Sequence, residues 1–122
     1  MAYLSDALLD LALQEIEDSA SQLNICNDEP ATYAAATTTY FLGDATILTY
    51  TGPANGDTSG RKTTVDAITD GSVLTTGTAL AWALTDGSTT LYAAGSLTTS
   101  QVVTAGNVFT LTAFDIEIPD AE

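Results

Sequence analysis

From Gly60 to Pro119 the chain is a succession of short apolar-alternating runs, each cut by a glycine. Thr64–Thr69 runs into Asp70-Gly71, Thr78–Thr85 into Asp86-Gly87, Thr89–Ala94 into Gly95, and Gln101–Thr104 into Ala105-Gly106-Asn107, before a last run, Val108–Ile118. An Asp-Gly pair between two alternating runs is the strongest short-range hairpin signal, because both central turn positions take positive φ. The pattern predicts antiparallel strands on which everything upstream must pack. Much of the polarity is threonine, whose β-branched side chain suits a pleated, half-buried surface.

The turns predict a register. With Asp86-Gly87 as a two-residue turn, Thr85 faces Ser88, Leu84 faces Thr89, Trp82 faces Leu91 and Leu80 faces Ala93. Leu80, Trp82, Leu84 and Leu91 then share a core face, with Trp82 as its anchor. Ala81, Ala83 and Tyr92 share the other, a smooth surface suited to a second sheet or another subunit.

The last run changes parity. Phe109, Leu111 and Ala113 are odd, whereas Phe114, Ile116 and Ile118 are even. Side chains alternate across a strand, so one flat strand cannot bury both sets. Either a bulge lies near Ala113-Phe114 or the strand leaves one sheet there and joins another. Asp115 and Glu117 fall on the outward face, where charge protects an edge strand. Pro119 ends the strand.

Upstream, residues 4–20 carry a helical period. Ser5 suits the N-cap and Asp6 the positive helix N-terminus. Leu9, Ala12, Leu13, Ile16, Ala20 and Leu23 form one apolar face, which Leu8 and Leu11 widen. Core packing accounts for that width, with a subunit contact as the alternative. Leu23–Cys26 alternates like a short strand and stops at Asn27-Asp28-Glu29-Pro30. Ala31–Thr39 reads as an extended surface segment. Tyr40–Leu42 and Thr46–Thr51 read as strands separated by Gly43-Asp44.

Composition excludes several chemistries. The 122 residues hold 16 acidic and two basic side chains, a formal charge of −14. Phosphate binding needs clustered Lys and Arg, so neither nucleic acid nor an anionic membrane is an expected partner. Histidine is absent and Cys26 is the only cysteine. That leaves no disulfide, no structural zinc site and no imidazole-assisted nucleophile. Cys26 reads as a small apolar filler. No secretory leader and no membrane-length apolar run is visible, so synthesis in a cytoplasm is expected.

The segment from Gly52 to Gly60 reads as the longest loop. Asn55, Asp57, Ser59, Gly60 and Asp66 fall in the register of a calcium-binding loop, although no helices flank it and Asp66 stands where a bidentate Glu is usual. Arg61 and Lys62 follow directly, either to pair with carboxylates of the chain or to mark a contact point.

With no internal repeat or linker, the chain is expected to be one domain over 1–122: a helix at 4–20 and a β unit at 23–119. Seven to nine short antiparallel strands with one amphipathic N-terminal helix fit a β-sandwich or a small β-barrel.

Five phrases occur in order along the chain: Ile25-Cys26-Asn27-Asp28-Glu29-Pro30, Gly60-Arg61-Lys62, Ala67-Ile68-Thr69-Asp70-Gly71, Trp82-Ala83-Leu84-Thr85-Asp86-Gly87 and Phe114-Asp115-Ile116-Glu117-Ile118-Pro119. Together they resemble a family of small structural proteins encoded by tailed phages and prophages. The resemblance implies a head decoration, or cement, protein on the outer capsid surface of the virion, made in the host cytoplasm. Its implied partner is the major capsid protein, with a homo-oligomer, a trimer foremost, as the binding form. It implies no enzyme activity, no catalytic residues and no cofactor. A tail-associated or host-binding β-sandwich module, presenting the 52–60 loop to a glycan or receptor, is the alternative. The expected partner contacts are Leu4, Leu8 and Leu11 on the N-terminal arm and helix, Arg61 and Lys62, and Ile116 and Ile118 on the last strand.

Overall fold

A computed structural model of the chain describes residues 5–46, 48–56 and 60–118. Among them are one α-helix, α1 (Asp6–Ser19), and nine strands: β1 (Gln22–Cys26), β2 (Phe41–Ala45), β3 (Tyr50–Asn55), β4 (Arg61–Val65), β5 (Ile68–Val73), β6 (Gly77–Thr85), β7 (Leu91–Val103), β8 (Val108–Leu111) and β9 (Phe114–Ile118). The fold is mainly β, a curled antiparallel half-barrel with one N-terminal helix. Six strands form one sheet in the order β7-β6-β1-β2-β5-β8, and three form a second in the order β3-β4-β9.

The parity change at Ala113-Phe114 is the crossing between the two sheets. β8 pairs with β5 in the large sheet, and β9 pairs with β4 in the small one. Phe109 and Leu111 are buried on one side of the crossing. Beyond it Phe114 and Ile116 pack against the same core.

Ser5 caps α1 by accepting a hydrogen bond from the Leu8 N–H at 3.1 Å. The helix lies on β3 and β4. It buries Leu9 and Leu13, whereas Ala12, expected on the core face, is exposed with Leu8 and Leu11. Polar links fix the packing. The buried Thr63 hydroxyl donates to Glu17 at 2.7 Å, and the Tyr50 hydroxyl donates to the Ala20 carbonyl at 2.6 Å. The Arg61 guanidinium binds Asp10 at 2.7 Å. No helix of the described residues is long and apolar enough to cross a membrane.

Several local expectations change in three dimensions. Residues 31–39 are not extended; they end in a π-helical turn at Ala35–Thr39 that lays Ala36 over Cys26, Ala81 and Ala83. The Ala36 carbonyl accepts from the buried Asn24 amide at 3.0 Å and lies 3.7 Å from the Cys26 thiol. The small-residue face of β6 is therefore covered by the chain itself. Gly43-Asp44 lies inside β2, and the 52–60 loop is partly strand, since β3 runs through Gly52-Pro53 to Asn55.

Asp86 begins a longer loop than a two-residue turn. Its carboxylate accepts from the N–H groups of Ser88, Thr89 and Thr90 at 2.9, 2.9 and 3.0 Å, so the chain turns around the side chain. The register moves with it: Thr85 pairs with Leu91, Leu84 with Ala93 and Trp82 with Gly95. Leu80, which lies at a second irregularity of the ladder between Ala79 and Ala81, is 47% exposed instead of buried. Leu91 packs on the alanine cluster, and Tyr92 packs against the main core.

Candidate functional site

Trp82 and Phe114 meet across the two sheets, ring centroids 4.6 Å apart and planes inclined at 38°. Trp82 sits on β6 opposite Gly95 of β7. A Cβ built on Gly95 would fall 2.8 Å from the indole. The glycine expected to break the chain lies inside a strand, where the absence of a side chain lets the indole lie against the backbone.

Beyond Gly95 the strand bulges. Ser96 pairs with Ala81 and Gln101 with Ala79, so two steps along β6 are matched by five along β7. The extra residues fall outside the register with β6, and Leu97, Thr98 and Thr99 line a cleft together with Thr110 and Leu111 of β8. β7 and β8 are the two edges of the six-stranded sheet. The curl of that sheet brings them close enough for the Gln101 side-chain amide to donate to the Thr110 carbonyl at 2.8 Å. Below this clasp the seam stays open as a cleft of about 260 Å³. Trp82, Leu97, Leu111 and Phe114 give it an apolar lining, and Ser96, Thr98, Thr99, Gln101, Thr110 and Thr112 a polar one. Among the described residues no charged side chain lines it.

The residues expected to contact a partner fall into three groups. Leu8 and Leu11 lie one helical turn apart on the outer side of α1, 50% and 69% exposed. Leu4 lies outside the described residues. Arg61 and Lys62 are engaged within the chain. Arg61 binds Asp10 and also donates to Asn55 at 2.7 Å, while Lys62 binds Asp115 at 3.1 Å. The Asp10 hydrogen bond holds the guanidinium pKa above its ordinary value. Ile116 and Ile118 pair with Thr63 and Arg61, which places them half-buried on the same face of the small sheet, with Ile116 packed on the core.

Asp115, Asp66 and Cys26 are engaged or buried within the chain. Asp115 accepts from Lys62 and from the Thr64 hydroxyl. Of the calcium-loop residues, Asn55 accepts from Arg61 and Asp66 from Thr51, while Asp57 and Ser59 lie outside the described residues. Among the described residues no group of three or more acidic or sulfur ligands is placed to hold a metal. Cys26 is buried, and burial pushes its thiol up to about 11, away from the thiolate that nucleophilic chemistry requires.

The cleft escaped the sequence reading because β6, β7, β8 and the start of β9 all contribute to it. The available signal was the cluster Ser96–Gln101, five of whose six side chains are hydroxyl or amide, placed in a run without strand alternation. No protein-family model, curated protein or solved structure matches the chain.

Proposed function

We propose that this protein is a non-enzymatic structural subunit that docks on other proteins, and specifically a decoration protein of the tailed-phage head. The docking role rests on one observation, the second apolar stripe of α1. Leu9 and Leu13 satisfy the core, yet Leu8, Leu11 and Ala12 repeat at helical spacing on the outside. Such a stripe on a helix anchored by Asp10, Glu17 and Ala20 offers a rigid apolar ridge to a partner. The virion setting rests on the sequence resemblance. The head reading puts the protein on the outer capsid surface, bound to the major capsid protein as a homo-oligomer. There it stabilises the shell by mass action, adding interface that the unassembled state lacks. A charge of −14 supports the same reading, since it keeps free subunits soluble and repels nucleic acid.

The test is particle occupancy. Purified particles are expected to carry the protein as outer-shell density, in a copy number of the order of the capsid subunits. Leu8→Gln combined with Leu11→Gln should remove it from particles while the free chain unfolds as before. Density confined to the tail overturns the head assignment, and undiminished occupancy of the double variant overturns the role of α1.

A further inference from the structure

We infer that the cleft at the β7–β8 seam is a binding site for an uncharged, polyhydroxylated ligand, a neutral saccharide ring. Charge narrows the class first. Among the described residues no acid or base lines the cleft, although the chain carries 16 acids; the Glu29 carboxylate adjoins it but accepts from the Ser96 hydroxyl at 3.2 Å. A cationic ligand finds no counter-charge in the lining itself, and an anionic one meets Glu29 and the repulsion of the whole molecule.

Polarity narrows it further. The Ser96 hydroxyl donates to Glu29 and the Gln101 amide to Thr110, but the hydroxyls of Thr98, Thr99, Thr110 and Thr112 can donate or accept, so the lining can pair with ligand hydroxyls in either sense. A purely apolar ligand would strip water from those groups and return nothing. Trp82 and Phe114 supply the complementary part, an aromatic surface for the C–H face of a sugar ring. An added peptide strand fits poorly. It would pair along the free edge of β8, where the Thr110 carbonyl already accepts from Gln101.

Size and construction agree with one ring. At about 260 Å³ the cleft falls just below the roughly 300–1,000 Å³ of drug-sized pockets. It is also a built feature: the β7 bulge raises the hydroxyl wall, and Gly95 leaves room for the indole. Because the site uses neither Leu8 nor Leu11, the inference stands or falls separately from the docking role of α1.

Trp82 is the only tryptophan, so intrinsic tryptophan fluorescence reports on the cleft directly. Titration of the full chain with free glucose, galactose and N-acetylglucosamine should give a saturable change for at least one, with a Kd of the order of millimolar. Amide chemical-shift changes should concentrate at 96–101 and 110–114. Thr98→Phe fills the cleft from an exposed position, so it should abolish the response and leave the fold unchanged by circular dichroism. A flat titration with all three sugars overturns the inference. So does an equal response to glucuronate, which would remove the charge argument, or to cyclohexanol, which would make the cleft a general apolar pocket.

Discussion

The Phe109 ring occupies the space in which a side chain at residue 71 would begin. The two residues are cross-strand partners on β5 and β8, and a Cβ on Gly71 would collide with the far end of the Phe109 ring. Trp82 and Gly95 repeat the arrangement on β6 and β7. In both pairs a large aromatic folds across the ladder onto the bare backbone of its own partner. The six-stranded sheet therefore has an aromatic–glycine pair next to each of its two edges.

Gly71→Ala is the direct test. Phe109 is 2% exposed and cannot swing into solvent, so the added methyl has to displace a packed ring. Overpacking of this kind costs about 1–3 kcal/mol, read as a lower urea midpoint with an unchanged m-value. Phe109→Leu in the same chain should recover part of the loss. The double-mutant cycle is expected to give a coupling of about 1 kcal/mol or more. Gly95→Ala should cost less, because Trp82 is half-buried and can move toward the cleft.

These pairs also mark the boundary of what the sequence made legible. The helical period, the Ser5 cap, the Leu23–Cys26 strand and the sheet change at Ala113-Phe114 follow from local rules, namely side-chain periodicity and capping. Gly71 and Gly95 do not. Each reads locally as a turn, the commonest use of glycine, whereas its place depends on an aromatic 38 or 13 positions away in sequence (71 to 109, 82 to 95). The register after Thr85 failed for a related reason. Asp86 gathers three N–H groups onto its carboxylate and lengthens the loop, and every partner on β7 shifts with it. Ala31–Thr39 lacks period because its order comes from covering Ala81 and Ala83. The cleft combines these effects, since it needs the shifted register, the bulge and the sheet crossing together.

Alkaline pH should weaken the attachment of α1 through Tyr50. Burial, and secondarily the Glu17 charge, push its hydroxyl from an ordinary 10.0 to about 12. The folded chain thus holds this proton more tightly than the unfolded chain. The associated stability is complete below 10.0 and is lost as pH rises through about 12. Tyr50→Phe should remove this part of the alkaline slope. At neutral pH it should cost about 1 kcal/mol, because the Ala20 carbonyl loses its 2.6 Å hydrogen bond. Tyrosinate absorbance should lose a late-titrating component when Tyr50 is replaced by Phe. Loss of an early-titrating component instead would contradict the burial.

Acid acts on the loop that follows β6. Backbone N–H groups of Thr89, Thr90 and Ser88 hold the Asp86 carboxyl down at about 2, from an ordinary 3.8. Here the unfolded chain takes up the proton first. The stabilisation is present above 3.8 and is lost as pH falls through about 2. Asp86→Asn keeps an oxygen acceptor and removes the titration, so its unfolding midpoint should depend less on pH across that window. Equal pH dependence in both proteins would mean that the loop opens before the carboxylate protonates.

Asn24 controls the layer over the small-residue face. It is fully buried on β1, accepts from the Gln22 amide at 2.9 Å and donates to the Ala36 carbonyl at 3.0 Å. Those bonds, with the Asn27 N–H donated to the Tyr40 carbonyl at 2.9 Å, tie segment 31–40 onto Ala81 and Ala83. Asn24→Ala removes the donor to Ala36 and leaves a void beside Cys26, for a loss of about 1–3 kcal/mol. The effect should be local before it is global. Amide exchange and proteolysis should accelerate first between residues 31 and 40, while β6 and β7 keep their protection. Asn24→Asp should open the same segment further, since a carboxylate offers no donor to Ala36 and stands close to Asp44, whose own carboxyl burial already raises. If both variants lose protection uniformly across β1, β6 and β7, the segment unfolds only with the sheet, and the covering layer is an integral part of the core.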